Sequence, residues 1–293
     1  MKILLIGGSG LLGKKLLETA PSQHEYVYTD RQSHPGENYI QLDITRKDDV
    51  NQLFHQLEPQ VIIHTASIGD VDFCESHQDQ AWRVNVDGTK YIVESAKNVG
   101  AKLLFFSSNA VFDGRHPPYD EHAVINPINF YGKTKVMAED ILTQYFPNAV
   151  IFRLTTMFGW NNLHQRNNPA TWLINRLKRR LKTPIVTDVY NNHLWVGQAA
   201  EAVWRSIDRK IYGEIFHIAG KECLSRYEFS LAVADVFGLD GKLILPVTSG
   251  YFKNIAKRPL NTEFTTTKMR EILGIIPYSL KTGLKRMKQE KNN

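Results

Sequence analysis

The chain has two cysteines, Cys74 and Cys223, in 293 residues, too few for a disulfide framework. No group of cysteines and histidines has zinc spacing, and the Cys74-x-x-His77 pair stands alone, so no metal centre is expected. Apolar runs are short. None approaches the roughly 20 residues that cross a bilayer, and Ile3-Leu4-Leu5-Ile6 runs into glycines where a signal peptide would show a cleavage site. Internal repeats, low-complexity stretches and an obvious linker are also missing. At 42% hydrophobic and 23% charged residues, the composition excludes a largely disordered chain. These absences lead to the expectation of a reduced, cytoplasmic protein with no membrane association.

The formal net charge of +6 hides an asymmetry. Residues 1–150 carry 13 Lys/Arg against 19 Asp/Glu, a net of −6, whereas residues 151–293 carry 23 against 11, a net of +12. The second half is therefore where an anion would be met. Its densest basic run is Arg176, Lys178, Arg179, Arg180 and Lys182, interleaved with Trp172, Leu173, Leu177 and Leu181. That pattern fits an amphipathic helix with a solvated basic face, and no nucleic-acid partner is expected.

The first 154 residues alternate strand and helix patterns. Apolar runs at Ile3–Ile6, Tyr26–Tyr28, Val61–Ile63, Leu103–Phe106 and Val150–Phe152 have the length and bulk of strands buried on both faces. Helical patterns at Leu11–Thr19, Val50–Leu57, Ala81–Val99 and Lys133–Tyr145 separate them. Such alternation predicts an α/β, Rossmann-type doubly wound parallel sheet over residues 1–154, which later segments return to complete. Residues 155–293 predict a smaller, mixed α/β C-terminal domain that takes the substrate. Between Ser107 and Phe130 lie 24 residues without periodicity, a length associated with functional or mobile loops.

Directly after the first strand, Gly7-Gly8-Ser9-Gly10-Leu11-Leu12-Gly13 places glycines at 7, 10 and 13. Gly7 suits a tight turn, Gly10 close approach of a pyrophosphate and Gly13 close helix–strand packing. A helix opening at Leu11 and Leu12 aims free N–H groups at the phosphates. The second strand ends at Asp30, where a dinucleotide site wants a carboxylate for the ribose hydroxyls, and Arg31 follows, able to pair with a 2′-phosphate. The cofactor is thus NAD(H) or NADP(H), with a lean to NAD(H).

Tyr131 and Lys135 are four residues apart at the start of a predicted helix, hence on one face. A lysine ammonium and an oxidised nicotinamide would stabilise phenolate and lower the tyrosine's pKa from about 10. Upstream, the Phe105–Ser108 strand end brings Ser107 or Ser108 to the carboxyl edge of the sheet, where either could bond a carbonyl oxygen.

With these features in order, the chain resembles the extended short-chain dehydrogenase/reductase family, and within it the dTDP-4-dehydrorhamnose reductases. The resemblance spans nearly the whole chain. It rests further on Leu42-Asp43-Ile44, Ile63–Ser67, Asn85, Val111–Gly114, Asn129–Lys135, Phe152-Arg153 and Lys257–Asn261. It implies that Ser108, Tyr131 and Lys135 form a catalytic triad, with Tyr131 the proton donor to a keto sugar nucleotide and Lys135 on the cofactor ribose. It also implies that Asp43 and Ile44 contact adenine and that Thr65, Ala66 and Ser67 line the cofactor cleft. Asn109 and Arg153 fall on the substrate side, and Arg153 and the Arg176–Lys182 run are candidates for the substrate's pyrophosphate. A homodimer is one assembly such a chain could form.

Departures from the reductase pattern lie on the substrate side. Ser108-Asn109-Ala110 stands for a Thr/Ser-Asp-Tyr, Leu154–Met157 lacks a Ser-Trp pair, and Leu194-Trp195 replaces a Pro-Thr. No Asp-Glu pair follows Ser108, which argues against dehydration. Two alternatives stay open: a sugar-nucleotide epimerase or other carbonyl reductase of the family, and an NADP-binding regulatory subunit similar to that of methionine adenosyltransferase.

Overall fold

Each of the five apolar runs forms its strand in the computed structural model, which describes residues 1–32, 38–162, 165–253 and 255–290. They are Lys2–Ile6 (β1), Glu25–Asp30 (β2), Val61–His64 (β4), Lys102–Ser108 (β5) and Val150–Leu154 (β6). Tyr39–Gln41 (β3) and Ile215–Ile218 (β7) complete a seven-stranded sheet in the order β7-β6-β5-β4-β1-β2-β3. Every pairing is parallel. The strands are continuous in apolar character because both faces are covered. Ile3 and Leu5 of β1 enter one buried cluster, and Leu4 and Ile6 enter the other.

Helices Leu11–Glu18 and Val196–Asp208 pack on the first face. Helices Lys47–Leu57, Gly88–Asn98 and Phe130–Tyr145 pack on the second. From β1 the chain runs outward through β2 and β3, then crosses back to β4 on the other side. The carboxyl ends of β1 and β4 therefore form the crevice where open parallel sheets bind ligands.

The single helix expected over Ala81–Val99 is interrupted. A π-helical turn at Arg83–Asp87 separates Gln78–Trp82 from Gly88–Asn98 and places the Asn85 amide in the interior. Its Oδ1 accepts from the Ile68 N–H at 2.7 Å, while its Nδ2 donates to the Ile68 carbonyl and to Thr134 Oγ1, both at 3.1 Å. One side chain thus joins the loop after β4 to the Phe130–Tyr145 helix.

The 107–130 stretch is built, not loose. Phe112 stacks on the buried Tyr119 with ring centroids 4.3 Å apart, and Tyr119 N–H donates to the Glu263 carbonyl at 2.8 Å. Asp113 accepts from Arg115 N–H, Tyr119 Oη and Asn126 Nδ2, each at 2.9 Å.

Beyond residue 154, Val196–Asp208 and β7 belong to the large sheet's layers. Helices Pro169–Lys178, Arg226–Phe237 and Leu280–Glu290 instead enclose a separate core around Phe158, Leu173 and Phe229. A parallel pair, Thr183–Val186 with Ile244–Val247, lies alongside. In the basic run, Leu173 and Leu177 are buried while Lys178, Arg179, Arg180 and Lys182 face solvent.

Candidate active site

The Gly7–Gly13 loop has the shape its sequence predicts. Gly7 sits at φ +89°, a conformation L side chains rarely adopt, and an added Cβ would come within 2.7 Å of the Ala66 nitrogen. A Cβ on Gly13 would lie 2.3 Å from the Gly7 carbonyl oxygen, so only glycine allows the helix to approach the turn this closely. Around Gly10 there is space on all but one side. Helix Leu11–Glu18 has no side-chain cap and no acidic residue in its first turn, which leaves its N-terminal N–H groups suited to a phosphate. Thr65 Oγ1 ties the two strand ends together by donating to the Ile6 and Gly7 carbonyls, at 2.8 and 2.9 Å.

Asp30 ends β2 against this loop. Its Oδ2 accepts from the Ser9 N–H at 3.2 Å and from Ser9 Oγ, and its Oδ1 accepts from the Arg31 N–H at 2.7 Å. A carboxylate held at the rim of a phosphate cradle is the arrangement a dinucleotide's ribose requires, so the residues present fit an NAD-type cofactor. Arg31 is exposed. Asp43 turns its carboxylate inward to Thr45 N–H and Oγ1, at 2.9 and 2.8 Å, and Ile44 is buried against Gly88. Ala66 is half-buried and Ser67 exposed beyond β4.

Ser108, Tyr131 and Lys135 come together at the carboxyl end of β5. Asn129 caps the Phe130–Tyr145 helix, its Oδ1 accepting from Gly132 N–H at 2.8 Å, and Glu75 accepts from Phe130 N–H at 2.9 Å. These contacts fix the turn that carries Tyr131. Strand alternation decides between the two serines. Ser108 lies in hydrogen-bonding reach of the Tyr131 hydroxyl, whereas Ser107 is buried with no partner for its Oγ among the described residues. Ser108 Oγ also accepts from Ala110 N–H at 3.1 Å and donates to Asn109 Oδ1 at 3.3 Å.

Lys135 Nζ donates to the Phe106 carbonyl at 3.0 Å and lies 5.9 Å from the centre of the Tyr131 ring. Burial pushes the Tyr131 phenol up to about 12, with the Ser108 bond pulling the other way, and burial pushes Lys135 down to about 8. The lysine is itself desolvated and spends a hydrogen bond on the Phe106 carbonyl. A tyrosine that holds its proton at neutral pH is suited to give it up to a developing alkoxide.

Asn109 Nδ2 donates to Thr262 Oγ1 at 2.6 Å, tying the reactive strand end to the segment after Arg258-Pro259-Leu260-Asn261. Arg153, expected on the substrate side, is instead inside the core. Its Nη2 is 2.8 Å from Glu139 Oε2, its Nε reaches both Glu139 oxygens, and its Nη1 donates to the Glu121 carbonyl. The buried guanidinium is engaged by Glu139 and the Glu121 carbonyl, so the expected substrate contact is corrected to a scaffold role. Arg176 is also committed, with Nε bonded to Thr183 Oγ1 at 3.1 Å and Nη2 to the Lys182 carbonyl at 3.0 Å.

Cys74 and His77 do not converge. The thiol is buried and bonds the Ile68 carbonyl, while His77 stacks on Phe73 at 4.2 Å. Among the described residues no group of three or more metal-ligating side chains forms, and no helix is long and apolar enough to cross a membrane.

Known proteins resemble this chain over nearly its whole length. The structure matches a crystal structure of a dTDP-4-dehydrorhamnose reductase from Clostridium acetobutylicum with a TM-score of 0.90 and 30% identity, covering all of both chains. A dTDP-4-dehydrorhamnose reductase from Bacillus anthracis, solved in complex with NADP, matches with a TM-score of 0.89 and 27% identity over 99% of each chain. In sequence, the methionine adenosyltransferase 2 subunit beta of Mus musculus is 30% identical over 302 residues, 97% of this chain and 86% of its own length. The RmlD substrate-binding domain family matches residues 1–293, and the chain belongs to it.

Proposed function

We propose that this protein is an NAD(P)H-dependent oxidoreductase that reduces a keto sugar nucleotide, of the dTDP-4-dehydrorhamnose reductase type. The observation that carries this reading is the meeting of Ser108, Tyr131 and Lys135 at the sheet edge beside a dinucleotide cradle. When bound, the nicotinamide supplies the hydride. Gly7–Gly13 with Leu11 and Leu12 would hold the pyrophosphate, Asp30 or Arg31 the adenosine ribose, and Thr65–Ser67 the cleft wall. Asp43 and Ile44 keep the adenine side as a shaped edge. Ser108 hydrogen-bonds the substrate carbonyl, Tyr131 protonates the oxygen as negative charge develops on it, and Lys135 stabilises the phenolate left behind.

The reading is tested by offering 4-keto and other oxidised sugar nucleotides with NADH and NADPH and identifying products by mass spectrometry. Turnover of one of them is expected. No turnover across the panel, together with co-purification of a partner enzyme, would favour the regulatory role suggested by the likeness to the methionine adenosyltransferase subunit.

Lys135 gives this reaction an alkaline limit. With its pKa held down to about 8, the ammonium is charged at pH 7 and is lost above pH 8. Reduction at saturating cofactor should therefore fall as pH rises through about 8, and Lys135→Arg should move that limb upward. A limb that stays in place in the arginine variant would assign it to another group.

Cofactor choice turns on Asp30. Its carboxylate would bond the ribose diol of NAD and repel a 2′-phosphate, which Arg31 would instead attract. Asp30→Ala should weaken NADH about tenfold, the scale of a lost charged hydrogen bond, with little loss for NADPH. Titration calorimetry with both cofactors decides this, and equal weakening would remove Asp30 from the ribose.

A further inference from the structure

The second half holds the excess positive charge, yet two of the basic groups singled out from sequence are engaged within the fold, Arg153 with Glu139 and Arg176 with its own helix end. Two others, Lys221 and Arg270, are not. They line one cavity of about 490 Å³ where the chain leaves β7. β7 is an edge strand, four places from β1 in the sheet order, so the cavity lies away from the glycine loop. None of its lining residues belongs to that loop or to the triad.

Buried contacts fix the walls. Gln198, 1% exposed, donates from Nε2 to the Ile276 carbonyl at 2.8 Å and accepts at Oε1 from the Tyr278 N–H at 2.9 Å. Tyr278 stacks on Trp195 with ring centroids 6.0 Å apart, and its carbonyl accepts from the Lys221 N–H at 2.9 Å. Arg270 is carried by the short helix Thr267–Glu271, and its N–H donates to the Thr266 carbonyl at 3.1 Å. Ser279 Oγ accepts from the Thr282 N–H at 3.1 Å and lies 2.8 Å from Thr282 Oγ1, which sets that hydroxyl at the start of helix Leu280–Glu290.

No carboxylate answers the two cations. Among the described residues neither the Lys221 ammonium nor the Arg270 guanidinium makes a hydrogen bond or ion pair, and the cavity lining contains no Asp or Glu. Glu222, next to Lys221, instead accepts from the Leu280 N–H at 2.9 Å, and Glu271, next to Arg270, is not part of the lining. Both basic side chains are exposed, so burial does not set them apart; sharing one concave surface does. A concave surface of one sign concentrates anions. The same cavity has an apolar wall of Ile276, Pro277 and Tyr278, and its volume falls within the roughly 300–1,000 Å³ of small-molecule sites.

We propose that this cavity is a second small-molecule site, for a phosphate monoester that carries an aromatic ring. The phosphate lies with Lys221 and Arg270, and the ring lies against Tyr278 and Ile276. An arginine fork and a lysine point charge together suit a phosphate, and the Thr266 and Thr282 hydroxyls add donors. The assignment is independent of the reductase reading, because the cavity shares no residue with the triad or the cofactor cradle.

The test uses the full chain and binding alone. Phenyl phosphate, inorganic phosphate and phenol are titrated by ligand-observed NMR against the wild type, Lys221→Gln, Arg270→Gln, the double variant and Ile276→Ser. The wild type should hold phenyl phosphate at least about fivefold more tightly than either inorganic phosphate or phenol. Each single charge variant should weaken phenyl phosphate about 3–10-fold, and the double variant about 10–100-fold. Ile276→Ser should weaken phenyl phosphate about threefold and leave inorganic phosphate unchanged. The charge variants should melt within about 3 °C of the wild type, since neither cation has a partner in the fold to lose. Phenyl phosphate bound equally by the wild type and the double variant overturns the proposal, as does no binding by the wild type at about 10 mM. Equal affinity for inorganic phosphate and phenyl phosphate would reject the ring-bearing ligand and overturn it as well.

Discussion

Replacing Tyr131 with phenylalanine should lower kcat by about 10²–10⁴-fold, the usual contribution of a positioned proton donor, and leave the affinity for NADPH within about twofold. The substitution removes one oxygen from a group whose phenol is desolvated and whose pKa is already pushed up to about 12. The ring and its helix position remain, as do the Asn129 cap and the Lys135 bond to the Phe106 carbonyl. Nothing that shapes the glycine loop changes, so cofactor binding serves as the control for folding. Single-turnover reduction of whichever keto sugar nucleotide the wild type accepts isolates the chemical step from product release. A kcat within about threefold of wild type would mean that Tyr131 is not the donor. Ser108→Ala should fall between the two, because a hydroxyl that only bonds the oxygen stabilises charge without supplying the proton.

What was legible in the sequence follows from range. The five strands and the glycine loop are local patterns: continuous apolar runs bounded by turns, and glycines at fixed spacing after a strand. Tyr131 and Lys135 share a helix face by spacing alone, and their meeting with Ser108 follows once the sheet is parallel. β3 carries little sequence signal because Tyr39–Gln41 is three residues long and only partly buried. The π-helical turn at Arg83–Asp87 leaves no signal in an otherwise helical pattern.

Charges were the harder problem, since a pair is made across the fold and not along it. Phe152-Arg153 ends a strand at the ligand edge and so reads as a substrate contact, whereas Glu139, on a different element, takes it into the core.

The Glu139–Arg153 pair carries the largest expected effect on stability. Both side chains are nearly sealed, at 4% and 3% exposure, and the pair bridges the Phe130–Tyr145 helix and β6. Arg153 reaches further, to the Glu121 carbonyl and to within 5.5 Å of the Phe112 ring centre, so it also fastens the 109–121 segment next to the active site. Glu139→Ala leaves a guanidinium buried without its counter-charge and should cost about 3–5 kcal/mol. Joint replacement by apolar residues of similar volume, Glu139→Leu with Arg153→Met, should recover most of that, because the desolvation cost disappears with the charges. Urea unfolding of the wild type, Glu139→Leu, Arg153→Met and the double variant measures the cycle, with Glu139→Ala beside it. A single-variant cost below about 1 kcal/mol would place the pair in the weak class of solvent-screened contacts, against its burial. The same variants separate scaffold from substrate contact. If Arg153 only holds the fold, the double variant should keep the wild-type affinity for a nucleoside diphosphate, and a loss of more than about tenfold would return Arg153 to the substrate side.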